Sequence, residues 1–259
     1  MTRAEFLTHD ALAGLPHGFF TRRGGVSSGA FGALNCSMNG RDNLALVREN
    51  RGRAMAGLGL PATALVGLHQ VHGPEVIVAE AAWPDDQRPQ GDGLVTRTPG
   101  LCLGIVTADC GPVLFADASA GVVGACHAGW RGAVLGVLEA TVAAMVALGA
   151  EAGRIAAVLG PCIHQPSYEV GPDMRAEVLA RDAADVRFFA PGVRDDRWQF
   201  DLPGYCCARL GALGLARVAS LGADTYADEA GFFSYRRATH QGQLPIGHQL
   251  SAIAPAARG

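Results

Sequence analysis

Apolar residues in this chain fall into short unbroken runs and into stretches with helical spacing, and the two patterns alternate irregularly. "HGFF", from His17, reads as a strand running into a Gly/Ser-rich loop. Leu44, Val47, Ala54 and Leu58 predict an amphipathic helix over Asn43 to Leu58. "TALVGLHQVHG" reads as a strand and turn, and "EVIVAEA" as a second strand. The Pro/Asp/Gln-rich stretch from Trp83 to Gly91 carries the strongest loop signal. "LCLGIVTADCGPVLFAD" and "GVVGACHAG" read as buried strands about the turn "ASAG". From Trp130 the period becomes helical, with Val134, Leu138, Val142, Met145 and Leu148 on one face and Gly149 as the C-terminal cap.

"IAAVLGPCI" is a further strand, Asp173 to Arg181 a helix, and another helix begins after Pro203. "GFFSYRR" and "LPIGHQLSAIA" are expected to supply closing strands. This irregular order, with hairpin-like pairs, predicts an α+β fold with mixed sheets. No repeat, low-complexity tract or internal boundary divides the chain, so residues 1–259 are expected to form a single domain.

Composition narrows the function. Hydrophobic residues make up 49% of the chain, enough for a substantial core, and charged residues only 17%. The net charge of −3 and the lack of any dense basic run argue against a nucleic-acid surface. All 21 basic residues are arginines, which removes Schiff-base and Walker-type lysine chemistry. Any bound anion must be held by Arg, His or backbone N–H groups. No apolar run approaches the ~18 residues of a membrane span, and the N-terminus lacks a signal-peptide core, so a cytoplasmic protein is expected. The 7 cysteines do not read as a disulfide framework in that compartment, and vicinal Cys206 and Cys207 are assigned no role.

Three residues stand where an apolar run gives way to a Gly-bearing turn: His72 in "HQVHG", Cys110 in "TADCG" and His127 in "CHAGWRG". Two imidazoles and a thiolate suit Zn2+ or a copper ion, and three protein ligands leave a catalytic position open. A lone cysteine is ordinarily an inert core residue and a lone histidine a hydrogen-bonded one. The turn positions argue for a cleft instead. A shared ion requires the three sets of ligating atoms within about 4 Å of one another. His69 competes with His72, but their strand spacing puts them on opposite faces, so one of the two joins the site. Arg131 stands at a helix start, and "TRRGGVSS" offers Arg22 beside Gly24, Gly25 and two hydroxyls, a pattern open to a solvated loop or to an anion cradle. The zincin, nucleobase-deaminase, nucleophile-elbow and Rossmann motifs are missing.

"HGFFTRRGGVS", "LHQVHG", "GDGLVT", "TADCGPVLF", "HAGWRG", "GPCI", "SYEVG" and "FFSYRR" follow in this order from His17 to Arg237. Together they resemble the bacterial multicopper polyphenol oxidase (laccase-type) family, now usually described as purine nucleoside phosphorylases. The resemblance implies a layered α/β/β/α sandwich. It places the metal ligands, and with them the catalytic residues, at His72, Cys110 and His127, with zinc as the cofactor and copper as an alternative. It implies phosphorolysis of adenosine, inosine and methylthioadenosine together with adenosine deamination. The partners are then small molecules, a purine nucleoside and phosphate, with no nucleic acid and no membrane; nothing in the sequence fixes an oligomeric state.

On this basis Arg22 and Arg131 are expected to hold phosphate and Asp92 to lie on the substrate side, with Asp92 or Asp109 orienting a ligating imidazole. His164 departs from the pattern, since some relatives carry glycine after "GPCI", and it is a candidate to line the pocket. Three other functions stay open. One is a cysteine-dependent amidase, with Cys110 activated by His127, editing peptidoglycan nucleotide precursors. Another is a copper-dependent polyphenol oxidase, although one His/His/Cys set cannot supply several coppers. The last is a metal-binding module without turnover.

Overall fold

Successive side chains along each strand face opposite layers, and the computed structural model, which describes residues 3–256, shows what each layer contains. In chain order come β1 (Phe6–Leu7), β2 (His17–Phe20), α1 (Leu44–Gly57), β3 (Leu65–Gly67), β4 (Val76–Val78), β5 (Gly93–Thr96) and β6 (Cys102–Thr107). Next are β7 (Gly111–Asp117), β8 (Val122–Ala128), α2 (Trp130–Leu135), α3 (Val137–Ala147), β9 (Ala156–Leu159), β10 (Glu169–Val170) and α4 (Pro172–Arg181). Last are β11 (Phe189–Pro191), β12 (Trp198–Phe200), α5 (Leu202–Gly211), β13 (Arg217–Ser220), α6 (Tyr235–Gln241) and β14 (Gln249–Ile253). Among the described residues, a five-stranded sheet runs β1-β2-β14-β6-β3 and a six-stranded sheet β13-β9-β7-β8-β5-β4. A small third sheet runs β10-β12-β11. Both large sheets mix parallel pairs (β3·β6, β4·β5, β9·β13) with antiparallel ones.

The two large sheets pack face to face. Phe19, Leu103, Ile105 and Ile253 of the first meet Leu94, Leu114, Val123 and Val158 of the second in one buried cluster. Neighbouring residues on the same strands face outward. Phe20, Cys102 and Leu250 pack under Ala54 and Met55 of α1. Val113, Phe115 and Cys126 pack under Leu138 and Met145 of α3 and Tyr205 and Leu210 of α5. The order helix, sheet, sheet, helix is thus the layered sandwich, and the fold is α+β. Each sheet is buried on both faces, which is why its strands read as unbroken apolar runs.

The expected helix over Asn43 to Leu58 forms with Asn43 as its cap, its side chain accepting from the Ala45 N–H at 2.9 Å. Two local expectations need correction. The helix starting at Trp130 breaks into α2 and α3 at Gly136, whose φ of 99° is in the left-handed region. The "GFFSYRR" segment is not a closing strand. Ser234 accepts from the Arg237 N–H at 3.1 Å and starts α6, so only Gln249–Ile253 closes the sheet.

Among the chain's crossings from one large sheet to the other are those between β3 and β4 and between β6 and β7. Those two crossovers carry His72 and Cys110. Among the described residues, no helix is long and apolar enough to span a membrane.

Candidate metal centre

Each member of the centre stands where a strand ends. Cys110 occupies the turn from β6 into β7, and Pro112 of β7 pairs with His127 of β8 across the antiparallel ladder. His72 reaches the same place from the loop after β3. The ligating atoms of His72, Cys110 and His127 lie within 4.8 Å of one another. The two imidazoles meet edge to face, with centroids 4.6 Å apart. That separation is looser than the about 4 Å that a shared ion imposes. His72 is the exposed member of the three.

Two of these turns hold non-glycine residues in the left-handed region, His72 at φ 62° and Asp109 at φ 91°. Such conformations cost about 1–3 kcal/mol each and persist where neighbours over-determine them. Asp92 does this for His72. Its Oδ2 accepts the N–H groups of Val71 at 3.1 Å and Gly73 at 2.8 Å, on either side of the histidine. Its Oδ1 accepts from His127 Nδ1 at 2.7 Å. The side chain that leaves Nε2 of His127 facing the cluster therefore also fixes the His72 loop. Asp109 is held by Thr225, whose hydroxyl donates at 2.7 Å, and by the Arg236 backbone N–H at 2.6 Å.

Burial by itself would push the Cys110 thiol up. The charge and hydrogen bonds of His127 and His72 outweigh it and hold the thiol well below the ordinary cysteine range. Burial likewise disfavours the His127 imidazolium, but Cys110 and Asp92 beside it raise its pKa. The contrast with structural cysteines is sharp: burial pushes Cys36 and Cys102 up to about 12. Asp92 stays ionised because His127 and the Gly73 and Val71 N–H groups overcome its burial.

The donor set fits a metal ion. The thiol is poised as a thiolate, one imidazole has its tautomer fixed by a carboxylate, and among the described residues no fourth His, Cys or carboxylate closes the group. Gly129 makes room for it. A Cβ there would stand 3.0 Å from Cys110 Sγ and 3.2 Å from His72 Cδ2.

A cleft of about 590 Å³ opens over the cluster. Leu68, Val106, Ile163 and Leu202 contribute its apolar lining; Gln70, Tyr168, Arg236 and His248 contribute polar groups. Burial and the charge of His127 push the His248 imidazole down to about 4, so it faces the cleft neutral.

Several sequence expectations move. Arg22 does not line this cleft. Its guanidinium lies 4.4 Å from the Phe233 ring and donates to the carbonyls of Gly32 and Glu229. Ser27 of the expected anion cradle donates to Asp42 at 2.6 Å. Arg131 points along the surface, 3.9 Å from Glu177 and over the Trp130 ring. Asp92 is fully buried and absent from the cleft wall, its carboxylate bonded to His127 and the His72 loop. Asp109 orients no imidazole, and His164 does not line the cleft. His69 contacts Asn39 at 3.4 Å, outside the cluster. Sequence reasoning passed over Tyr168, Arg236 and His248. The first two lie in "SYEVG" and "FFSYRR", segments that carried the resemblance without any role assigned.

The family described as multi-copper polyphenol oxidoreductase laccase matches residues 16–256. The chain belongs to that family. It is 43% identical over 225 residues to a purine nucleoside phosphorylase of Deinococcus radiodurans, covering 86% of this chain and 84% of that protein. A Streptomyces griseus purine nucleoside phosphorylase is 42% identical, covering 90% and 94%. Among solved structures, Neisseria meningitidis protein NMB0706 superposes with a TM-score of 0.86 at 34% identity, covering 97% of this chain and 99% of that one. Against the copper in the family's description stands the size of the centre here. Among the described residues the His72, Cys110, His127 group is the one cluster of its kind, enough for a single ion.

Proposed function

We propose that this family member is a zinc-dependent purine nucleoside phosphorylase that also deaminates adenosine. The observation that carries the reading is the open His72, Cys110, His127 cluster beneath a nucleoside-sized cleft, in a chain 43% identical to a protein named for that activity. The apolar lining from Leu68, Val106 and Ile163 suits the faces of a purine, and Gln70, Tyr168 and His248 offer polar contacts to its edges and sugar. In phosphorolysis a phosphate oxygen bonds to ribose C1′ as the C1′–N9 bond breaks. The bonding pair leaves with the purine, which takes up a proton. Deamination replaces the C6 amine with the oxygen of a water and releases ammonia.

His72, Cys110 and His127 hold the ion, which when bound supplies positive charge beside the reacting groups. Asp92 keeps His127 in the ligating tautomer, and the apolar lining excludes water from the reacting atoms. The test is hypoxanthine release from inosine with and without phosphate, beside metal analysis, before and after chelation. Zinc content and phosphate-dependent release should fall together on chelation and in Cys110→Ala. Phosphate-independent or chelator-insensitive release would refute the reading.

A second reading has its own observation. Cys110, His127 and Asp92 form a relay in which a thiolate faces an imidazole oriented by a buried carboxylate, the arrangement of a cysteine hydrolase. A covalent adduct trapped at Cys110 during metal-free amide turnover would favour that amidase.

A further inference from the structure

With no lysine in the chain, the fixed positive side chains available to an anion in this cleft are arginines, and two line it: Arg88 and Arg236. All three guanidinium nitrogens of Arg88 are already engaged. Its Nε donates to the Asp85 carbonyl at 2.7 Å, Nη1 to the Leu68 carbonyl at 3.3 Å and Nη2 to Asn39 Oδ1 at 2.8 Å. Arg236 is different. Its Nη1 donates to the Glu169 carbonyl at 2.6 Å and its guanidinium lies 5.3 Å from the Tyr168 ring centroid, while Nε and Nη2 take no protein partner among the described residues.

No carboxylate pairs with this half-buried guanidinium among the described residues. Asp109, which takes the Arg236 backbone N–H, is already occupied. Its oxygens accept from Thr225 and from the backbone N–H of Arg236 itself. The backbone bond to Asp109 and the Nη1 bond to Glu169 fix the arginine at both ends. What results is an oriented guanidinium with two unengaged nitrogens and no ion-paired carboxylate among the described residues, facing a cleft. Purine nucleosides are neutral and leave that charge unanswered, whereas an oxyanion with several acceptor oxygens matches the planar fork.

We infer that Arg236, stacked on Tyr168 and anchored by Glu169 and Asp109, is the oxyanion subsite of the cleft and holds inorganic phosphate. The inference rests on the phosphorylase reading for its choice of anion. The experiment separates the two. Phosphate affinity of the zinc-loaded protein is measured by calorimetry, and the Michaelis constants for phosphate and inosine by hypoxanthine release. Arg236→Ala should weaken phosphate binding roughly ten- to a hundredfold, the loss expected for charge-assisted hydrogen bonds. It should raise the phosphate KM by a similar factor and leave the inosine KM within about threefold. Arg236→Lys, which keeps the charge and loses the fork, should fall between the two; it also serves if the alanine variant does not fold. Wild-type protein that binds no phosphate, or variants that bind it as tightly as wild type, would overturn the inference. Arg236-dependent phosphate binding without any phosphorolysis would leave the subsite standing and remove the proposed activity.

Discussion

Replacing Asp92 with asparagine should uncouple metal binding from folding. Asp92 makes three bonds through two oxygens. Oδ2 takes the N–H groups of Val71 and Gly73, and Oδ1 takes the Nδ1–H of His127. An asparagine in the same place has one oxygen and one NH2. If the NH2 faced the loop it would oppose two backbone donors, so the oxygen goes there and the NH2 turns to His127. The imidazole must then accept at Nδ1, which puts its proton on Nε2, the atom that faces the cluster. The two backbone bonds survive and the third is reversed, the amide now donating to Nδ1, while the ligating tautomer is lost. Partners of this kind behind a ligating histidine are worth about 10- to 100-fold in metal affinity, or roughly 1.4–2.8 kcal/mol.

The accompanying loss of a charge-assisted bond should cost about 1–3 kcal/mol of stability. For a chain of this length that is roughly 2–4 °C of melting temperature per kcal/mol. Asp92→Ala, which also strands the Val71 and Gly73 donors, should be the less stable of the two variants. Zinc affinity is read by competition with a chromophoric chelator, folding by thermal melting, and the tautomer by nitrogen chemical shifts of His127. A folded asparagine variant that binds zinc within threefold of wild type would refute the reasoning.

Two further outcomes follow from named contacts. Gly129→Ala should fold normally, because φ −66° and ψ 162° suit alanine, yet lose about tenfold in zinc affinity as the new Cβ crowds Cys110 and His72; chelator competition beside a melting curve checks it. Asp117, fully buried, accepts from the Ala120 and Glu151 N–H groups and from Arg154, which against the opposing effect of burial hold its carboxyl below the ordinary value. Its stabilisation is therefore present above the unfolded-state pKa of about 3.9 and lost as pH falls through the lower folded value. Asp117→Asn should be less stable than wild type by about 1.5–3 kcal/mol in urea unfolding. That gap should be constant from about pH 7 to 5 and narrow below about 4. A gap that closes between pH 7 and 5 would contradict the assigned cause.

The parts of this molecule that were legible in the sequence are those decided by neighbours in the chain. Apolar runs marked β6, β7, β8 and β9 because strands buried on both faces need apolar residues at every position. The ends of three such runs marked His72, Cys110 and His127, since a cleft residue must sit where the ladder stops. The break at Gly136 was less visible, because a helical pattern passes through a glycine without changing its period. Ser234 was misread for a related reason. The "GFF" before it is apolar enough to be a strand, and the cap that turns it into α6 rests on a single serine.

The arginines show where local reading ends. Arg22 and Arg236 are the same residue type, each in a motif beside an aromatic or glycine-bearing stretch, and the residue types around them do not tell them apart. What separates them is set by the folded chain. Arg22 donates to the carbonyl of Glu229, 207 residues away, and that contact fixes it outside the cleft. Arg236 takes its place from Asp109, 127 residues away, and from the Glu169 carbonyl. A guanidinium is free to bind substrate only when the folded chain leaves its donors unclaimed. That property belongs to the packing and has no counterpart in spacing or composition. Asp109 therefore matters twice: the turn that points Cys110 at its two histidines also fixes the arginine whose free donors complete the cleft.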